Sequence, residues 1–229
     1  MKNILFSIAA LLLSLVAYSQ ETEIIKSSLT DAVIEKITVL KTDKTVKQGF
    51  YQAFIRHTTN ALAIGNYDHN KKVGVWSFFD TGNHLLQRYN YSTNTLTYEA
   101  PEDTASNCRY VVDDSLKTNS ITTKPVRIGD RFYGYLPYLK IFRLPRDMQD
   151  INPQLVNTII ELLISPGGRL ADYTVHIQNT TYQRQFSFNL DLLKDEDKTF
   201  IPATIDGKSV ACRIFIKCYL TNDGRIDFD

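Results

Sequence analysis

The sequence predicts a mostly β, α+β protein. A stacked β-hairpin sheet forms the front half, and a small domain with an antiparallel sheet and one or two helices forms the back. Three observations predict this. Tyr (13) and Phe (12) are plentiful while Gly (10) and Pro (7) are few, a balance that suits pleated, half-buried surfaces and not a disordered chain. Two stretches, starting at Lys47 and Lys72, repeat each other. Near the end, Val210, Cys212, Ile214 and Ile216 alternate with Ala211, Arg213, Phe215 and Lys217, the period of a strand with one buried face. With 43% hydrophobic and 22% charged residues in 229, a core can form in one large or two small domains.

Residues 1–19 read as a secretory signal peptide. Lys2 supplies the positive start, Ile4 to Val16 is apolar apart from two serines, and Ala17-Tyr18-Ser19 places small residues for cleavage before Gln20. The apolar run is short of the about 20 residues needed to span a bilayer. Cleavage removes one of the 26 basic residues and none of the 25 acidic ones, so the exported chain carries balanced charge. A neutral chain lacks the electrostatic footprint of a nucleic-acid binder. The densest basic cluster, Lys140, Arg143 and Arg146 beside Asp147, reads as a solvated face.

Residues 20–119 form the expected repeat region. Its opening, "ETEIIKSSLTDAVIEK" (21–36), reads as weakly helical or irregular. In the repeat that follows, Gly49 matches Gly74, Tyr51 matches Trp76 and Phe54 matches Phe79, each 25 apart, and Asn66-Tyr67 matches Asn90-Tyr91, 24 apart. Each unit is a glycine, an aromatic strand, a turn such as Asp80-Thr81-Gly82, and a returning strand ending in Tyr. A lone hairpin cannot bury its aromatic face, so the units stack. Trp76 and Phe79 then belong to the core, with an exposed aromatic ladder for glycan as the rival reading. The stretch "GNYDHNKKVGVWSFFDTGNHLLQRYNY" resembles the MORN-type repeats of bacterial exported and antitoxin-like proteins, through Gly65, Tyr67, Gly74, Trp76, Phe79, Gly82, Tyr89 and Tyr91. The resemblance covers about residues 46–99; the first copy is degenerate, with Tyr51 for the Trp and "RHTTNA" for the Gly turn.

Residues 100–125 are polar around Tyr110-Val111-Val112 and read as a connector, with a boundary near Ser120. In the second domain, 120–229, "LVNTIIELLIS" faces two ways. Asn152 and Pro153 are a helix start, yet the immediate Pro166-Gly167-Gly168 return favours a hairpin with "RLADYTVHIQ". Residues 182–197 suggest a short helix, and Asn222-Asp223-Gly224 a tight turn.

About residues 126–229 resemble the TonB C-terminal domain family. The match runs through Leu144-Pro145, Ile164 with Gly168, Leu170 to Ile177, Phe200-Ile201-Pro202-Ala203, Asp206-Gly207-Lys208 with Val210, and Cys212 to Leu220. Leu144 stands where Tyr is usual, Phe200 where Trp is usual, and the helix region lacks the family's alanine-rich character. The resemblance implies a non-enzymatic interaction protein of the bacterial envelope, periplasmic or secreted, with a protein partner such as an outer-membrane receptor. Its final strand would serve as an open edge that recruits a visiting strand. The expected partner-binding residues are Cys212, Arg213, Ile214, Phe215, Ile216, Lys217, Cys218, Tyr219 and Leu220. The rivals are a TonB-type energy transducer for outer-membrane transport, which would need a retained membrane helix, and a glycan-binding module.

Nothing in the sequence carries catalysis. His57, His69, His84 and His176 form no metal spacing, and no nucleotide or hydrolase signature occurs, so no cofactor and no metal are expected. An EF-hand reading of the last residues fails for lack of its essential acids. Cys108 with a distant His is too weak a signal for a thiol nucleophile. Cys212 and Cys218 would lie roughly 20 Å apart along one strand, so at most one disulfide forms, through Cys108.

Overall fold

The computed structural model describes residues 21–228 except 103–105, 113–118, 149–150 and 181. The expected signal peptide and its cleavage site therefore lie outside the described residues. The protein is mostly β, with one α-helix among the described residues.

The front half is a seven-stranded antiparallel meander: β1 (Thr22–Ser28), β2 (Val33–Leu40), β3 (Lys47–Ile55), β4 (Ala61–Asp68), β5 (Lys71–Phe79), β6 (Leu85–Asn90) and β7 (Thr95–Glu99). The first two strands correct the expectation of a weak helix over 21–36. In β2, Val33, Glu35, Ile37 and Val39 are buried and alternate with half-buried residues. Packing of that face against β3 outweighs local propensity. The repeat is real in geometry: Gly49 and Gly74 both take positive φ, at 101° and 63°. Tyr51 and Trp76 are both enclosed, with rings 5.1 Å apart. The expected turn at Asp80 forms, its carboxylate accepting from the amide of His84 at 2.7 Å.

The second sheet is antiparallel and six-stranded. β8 (Cys108–Val112) comes first, then the short β9 (Thr122–Thr123) and β10 (Val126–Arg127). A tight helical turn (Asp130–Gly134) and the single helix α1 (Leu136–Ile141) follow. Next come β11 (Asn157–Ile164), β12 (Leu170–Gln178), β13 (Gln183–Ser187), β14 (Phe200–Ile201), β15 (Ala203–Ile205), β16 (Lys208–Val210), β17 (Cys212–Leu220) and β18 (Ile226–Phe228). The main order is β13-β12-β11-β17, with β8 and β18 both on the far side of β17. β10 pairs β14, and β16-β15-β9 form a small satellite sheet.

The strand reading of 157–164 holds, and the helix start before it is also used. Asn152 caps one turn at Pro153–Leu155, its Oδ1 accepting from the Gln154 amide, before the chain extends. Gly168 closes the hairpin at φ +72°, where a Cβ would meet the Phe200 carbonyl oxygen at 2.4 Å. Residues 182–197 form β13 and short 3-10 turns in place of the expected helix. Residues 108–112, read as connector, belong to the second sheet.

One continuous hydrophobic cluster serves both sheets, from Val33 and Trp76 to Ile160, Tyr173 and Ile214. The segment after β10 clamps onto the meander. The Tyr133 ring stacks on Phe78 at 5.6 Å. Buried Gln87 accepts from the Gly129 amide at 2.8 Å and donates to the Arg127 carbonyl at 3.3 Å.

Candidate functional site

β17 forms as expected, but it is interior. Thr158–Ile164 pair along one side of it, and Cys108–Val112 with Ile226–Phe228 cover the other. Among the described residues its length from Cys212 to Cys218 is flanked on both sides, so the expected open edge is closed there. Cys212, Ile214, Ile216, Cys218 and Leu220 point into the core. Arg213, Phe215, Lys217 and Tyr219 lie on the opposite face, where Arg213 pairs with Glu161. The sequence could not show this, because the covering strand β8 is only five residues long and sits in a polar stretch.

The glycan reading of Trp76 is overturned as well. The indole is fully buried, walled by Tyr67 and Tyr91, and its Nε1 donates to the Asn66 carbonyl at 3.1 Å. The half-buried Tyr89 and Tyr91 lie in front of it.

A cleft of about 530 Å³ opens where the meander meets the second half. The meander contributes Glu35, Lys47, Tyr51, Tyr67, Lys72, Tyr89 and Tyr91. The other wall is Ile128, Tyr133, α1 and the turns around Leu192–Thr199. Strand alternation explains the first wall: Glu35, Tyr51, Tyr67 and Tyr89 all sit on the inward face of their strands.

Polar groups at its floor are mutually satisfied. Tyr133 donates to the Tyr51 hydroxyl at 2.9 Å, and Tyr51 donates to Glu35 Oε2 at 2.9 Å. Ser27 donates to Glu35 Oε1 at 2.6 Å. Burial pushes the Tyr51 and Tyr133 hydroxyls well above the ordinary phenol range, so they act as hydrogen-bonding groups and not as bases. At the side, Arg127 is held on four acceptors. Nε donates to the Gly134 carbonyl, Nη1 to the Glu196 and Thr199 carbonyls at 2.7 and 3.0 Å, and Nη2 to Asp197 at 2.8 Å. Burial still holds the Asp197 carboxyl above its usual range, against the pull of Arg127. Lys72 bridges the halves on Glu196 at 2.9 Å, its Nζ 5.3 Å from both the Trp76 and Tyr91 rings.

No family model, curated protein or solved structure matches this chain. The cleft offers rings, cations and hydroxyls at a size that suits a small ligand. No group of three His, Cys, Asp or Glu among the described residues is placed to hold a metal. No helix among them is long and apolar enough to cross a membrane. Cys108 is buried, and burial pushes its thiol up to about 11, the opposite of an activated nucleophile.

Proposed function

We propose that this is an exported, non-enzymatic binding protein of the bacterial envelope, built from a MORN-like meander and a TonB-C-like module, whose ligand seat is the tyrosine-lined cleft between them. One observation carries it: the cleft is walled by both halves, and its floor is a closed hydrogen-bond chain, Tyr133–Tyr51–Glu35–Ser27. A preorganised floor whose hydroxyls and single carboxylate are already hydrogen-bonded to one another suits recognition over turnover.

The test is a thermal-shift screen with acidic, neutral and basic small molecules on wild type and on an Ile141→Trp variant that fills the cleft. At least one class should raise the wild-type Tm, as any ligand selective for the native state does. The shift should vanish in the filled variant. Shifts that survive filling, or none in wild type, sink the reading.

A protein partner remains the second reading, moved from the strand's edge to its outer face. There Val111 (48%), opposite Arg213, and Tyr219 (43%) are exposed towards the two ends of β17, with half-buried Phe215 between them. Crosslinking from position 219 in the native envelope tests it, and an adduct from position 50 of equal yield would mark the contact as unspecific.

A further inference from the structure

We infer that the cleft takes a small amphipathic anion, an apolar body carrying one acidic head. This rests on the reading of the cleft as the ligand seat and adds the class of ligand.

The lining is mixed. The second half contributes an aliphatic patch, Ile128, Leu136, Pro137, Ile141, Leu192 and Leu193, beside the charged Arg127, Lys140, Lys194, Glu196 and Asp197. Leu192 is 65% exposed there, on a short turn, where burying it in water-free contact with a ligand would be favourable. The wall from the meander carries cations beside tyrosine rings, with Lys47 Nζ 4.9 Å over the Tyr67 ring and Lys72 over Tyr91.

The charges around the cleft do not cancel. Five cations line it, Lys47, Lys72, Arg127, Lys140 and Lys194, against three carboxylates, Glu35, Glu196 and Asp197. All three carboxylates are engaged: Glu35 by Ser27 and Tyr51, Glu196 by Lys72, and Asp197 by Arg127. Lys47, Lys140 and Lys194 have no ion-pair partner among the described residues. Lys47 is the half-buried one of the three. Burial, with Lys72 and Lys194 adding like charge, holds its ammonium below the ordinary lysine range despite Glu35 and Glu196. A partly desolvated cation with no carboxylate in ion-pair contact, in a cleft that also holds an aliphatic patch, is complementary to an acid group on an apolar chain. A neutral sugar would leave that cation without an ion pair, and an acidic polar one would leave the aliphatic patch wet.

The single tryptophan of the chain reports on the site. Trp76 touches the lining residues Tyr51, Tyr67 and Tyr91 and lies under the Lys72 ammonium. The experiment titrates the purified protein with dodecanoate, dodecanol and acetate below micellar concentrations, and with phosphatidylglycerol vesicles, following Trp76 fluorescence and native mass spectrometry. Dodecanoate should bind one per chain, at least about tenfold tighter than dodecanol, and acetate should not bind. Lys47→Met should weaken dodecanoate about tenfold while leaving dodecanol unchanged, and Lys47→Arg should retain the wild-type preference. Equal binding of dodecanoate and dodecanol overturns the inference while the cleft stands as a seat. So does a response to vesicles alone, which would mark a bilayer surface and not a single anion as the partner. If the screen with Ile141→Trp fails first, the seat itself is lost.

Discussion

A Cβ built on Gly65 would lie 2.2 Å from Cδ2 and Cε2 of the Trp76 indole. The backbone at Gly65 is not in the left-handed region, so the glycine is required by the ring pressed on it and not by a turn. This contact sets the closeness of β4 and β5 behind the cleft, because Tyr67 and Tyr51 pack on the other edges of the same indole.

Gly65→Ala should therefore destabilise the protein by about 1–3 kcal/mol, the usual cost of overpacking a filled core. Urea denaturation with an unchanged m-value measures it. A smaller side chain should accept the methyl, so Gly65→Ala in a Trp76→Leu background should cost less than in wild type. A cost within about 0.5 kcal/mol in wild type would mean the indole is not pressed on the backbone.

Arg127 makes a second stability prediction. Its guanidinium satisfies three carbonyls and Asp197, and it lies 5.5 Å over the Phe200 ring. Truncation to Met strands the half-buried Asp197 carboxylate and three carbonyls and should cost about 2–4 kcal/mol. Adding Asp197→Asn should recover part of the loss. Lys should not substitute, since a point charge cannot reach a fork of four acceptors. Equal stability of Arg127→Lys and wild type in thermal melts would refute this account of the network.

Much of this fold was legible from period alone. The alternation at 212–220, the Gly-Gly return at 167–168 and the 25-residue repeat all report local geometry, and each appears as read. What escaped was decided by pairing. Residues 21–36 read as weakly helical or irregular, yet they hold β1 and the start of β2; at the latter a charged residue, Glu35, takes an inward position and is tolerated there because Tyr51 and Ser27 satisfy it. Cys108–Val112 is too short to announce itself, yet it closes the edge on which a docking role had been placed. The cleft was illegible for the same reason. Its residues come from β2, β3, β4, β5, β6, α1 and the turns after Asn189, and no spacing in the chain joins them. The tyrosines of the repeat were visible in sequence; that Tyr91 faces a cleft while Trp76 is sealed behind it was not.

The thiols give a prediction about access. Cys108, Cys212 and Cys218 are all buried. Burial raises the Cys108 thiol to about 11, so little thiolate exists at neutral pH. A disulfide-exchange reagent should label almost none of the three in the native protein and all three in denaturant. Rapid native labelling of Cys108 would show that β8 opens readily from β17, and with it the covered edge.

Acid stability should depend on Glu161. It sits on the outer face of the second sheet with its carboxylate between Arg213 and His176, the latter at 2.7 Å. Burial alone would raise this carboxyl, but the hydrogen bonds from Arg213 and His176 and their charges outweigh it and hold the group below its usual range. The sign follows from linkage. A carboxyl with a depressed native pKa stabilises the fold above its unfolded value of about 4.3, and that contribution is lost as pH falls through the native value. Wild type should thus exceed Glu161→Gln in stability near pH 6, and the gap should close towards pH 3. Arg213→Met removes the strongest donor and should move the closing of that gap to higher pH. A gap of constant size across the range would show that Glu161 acts through packing and not through its charge.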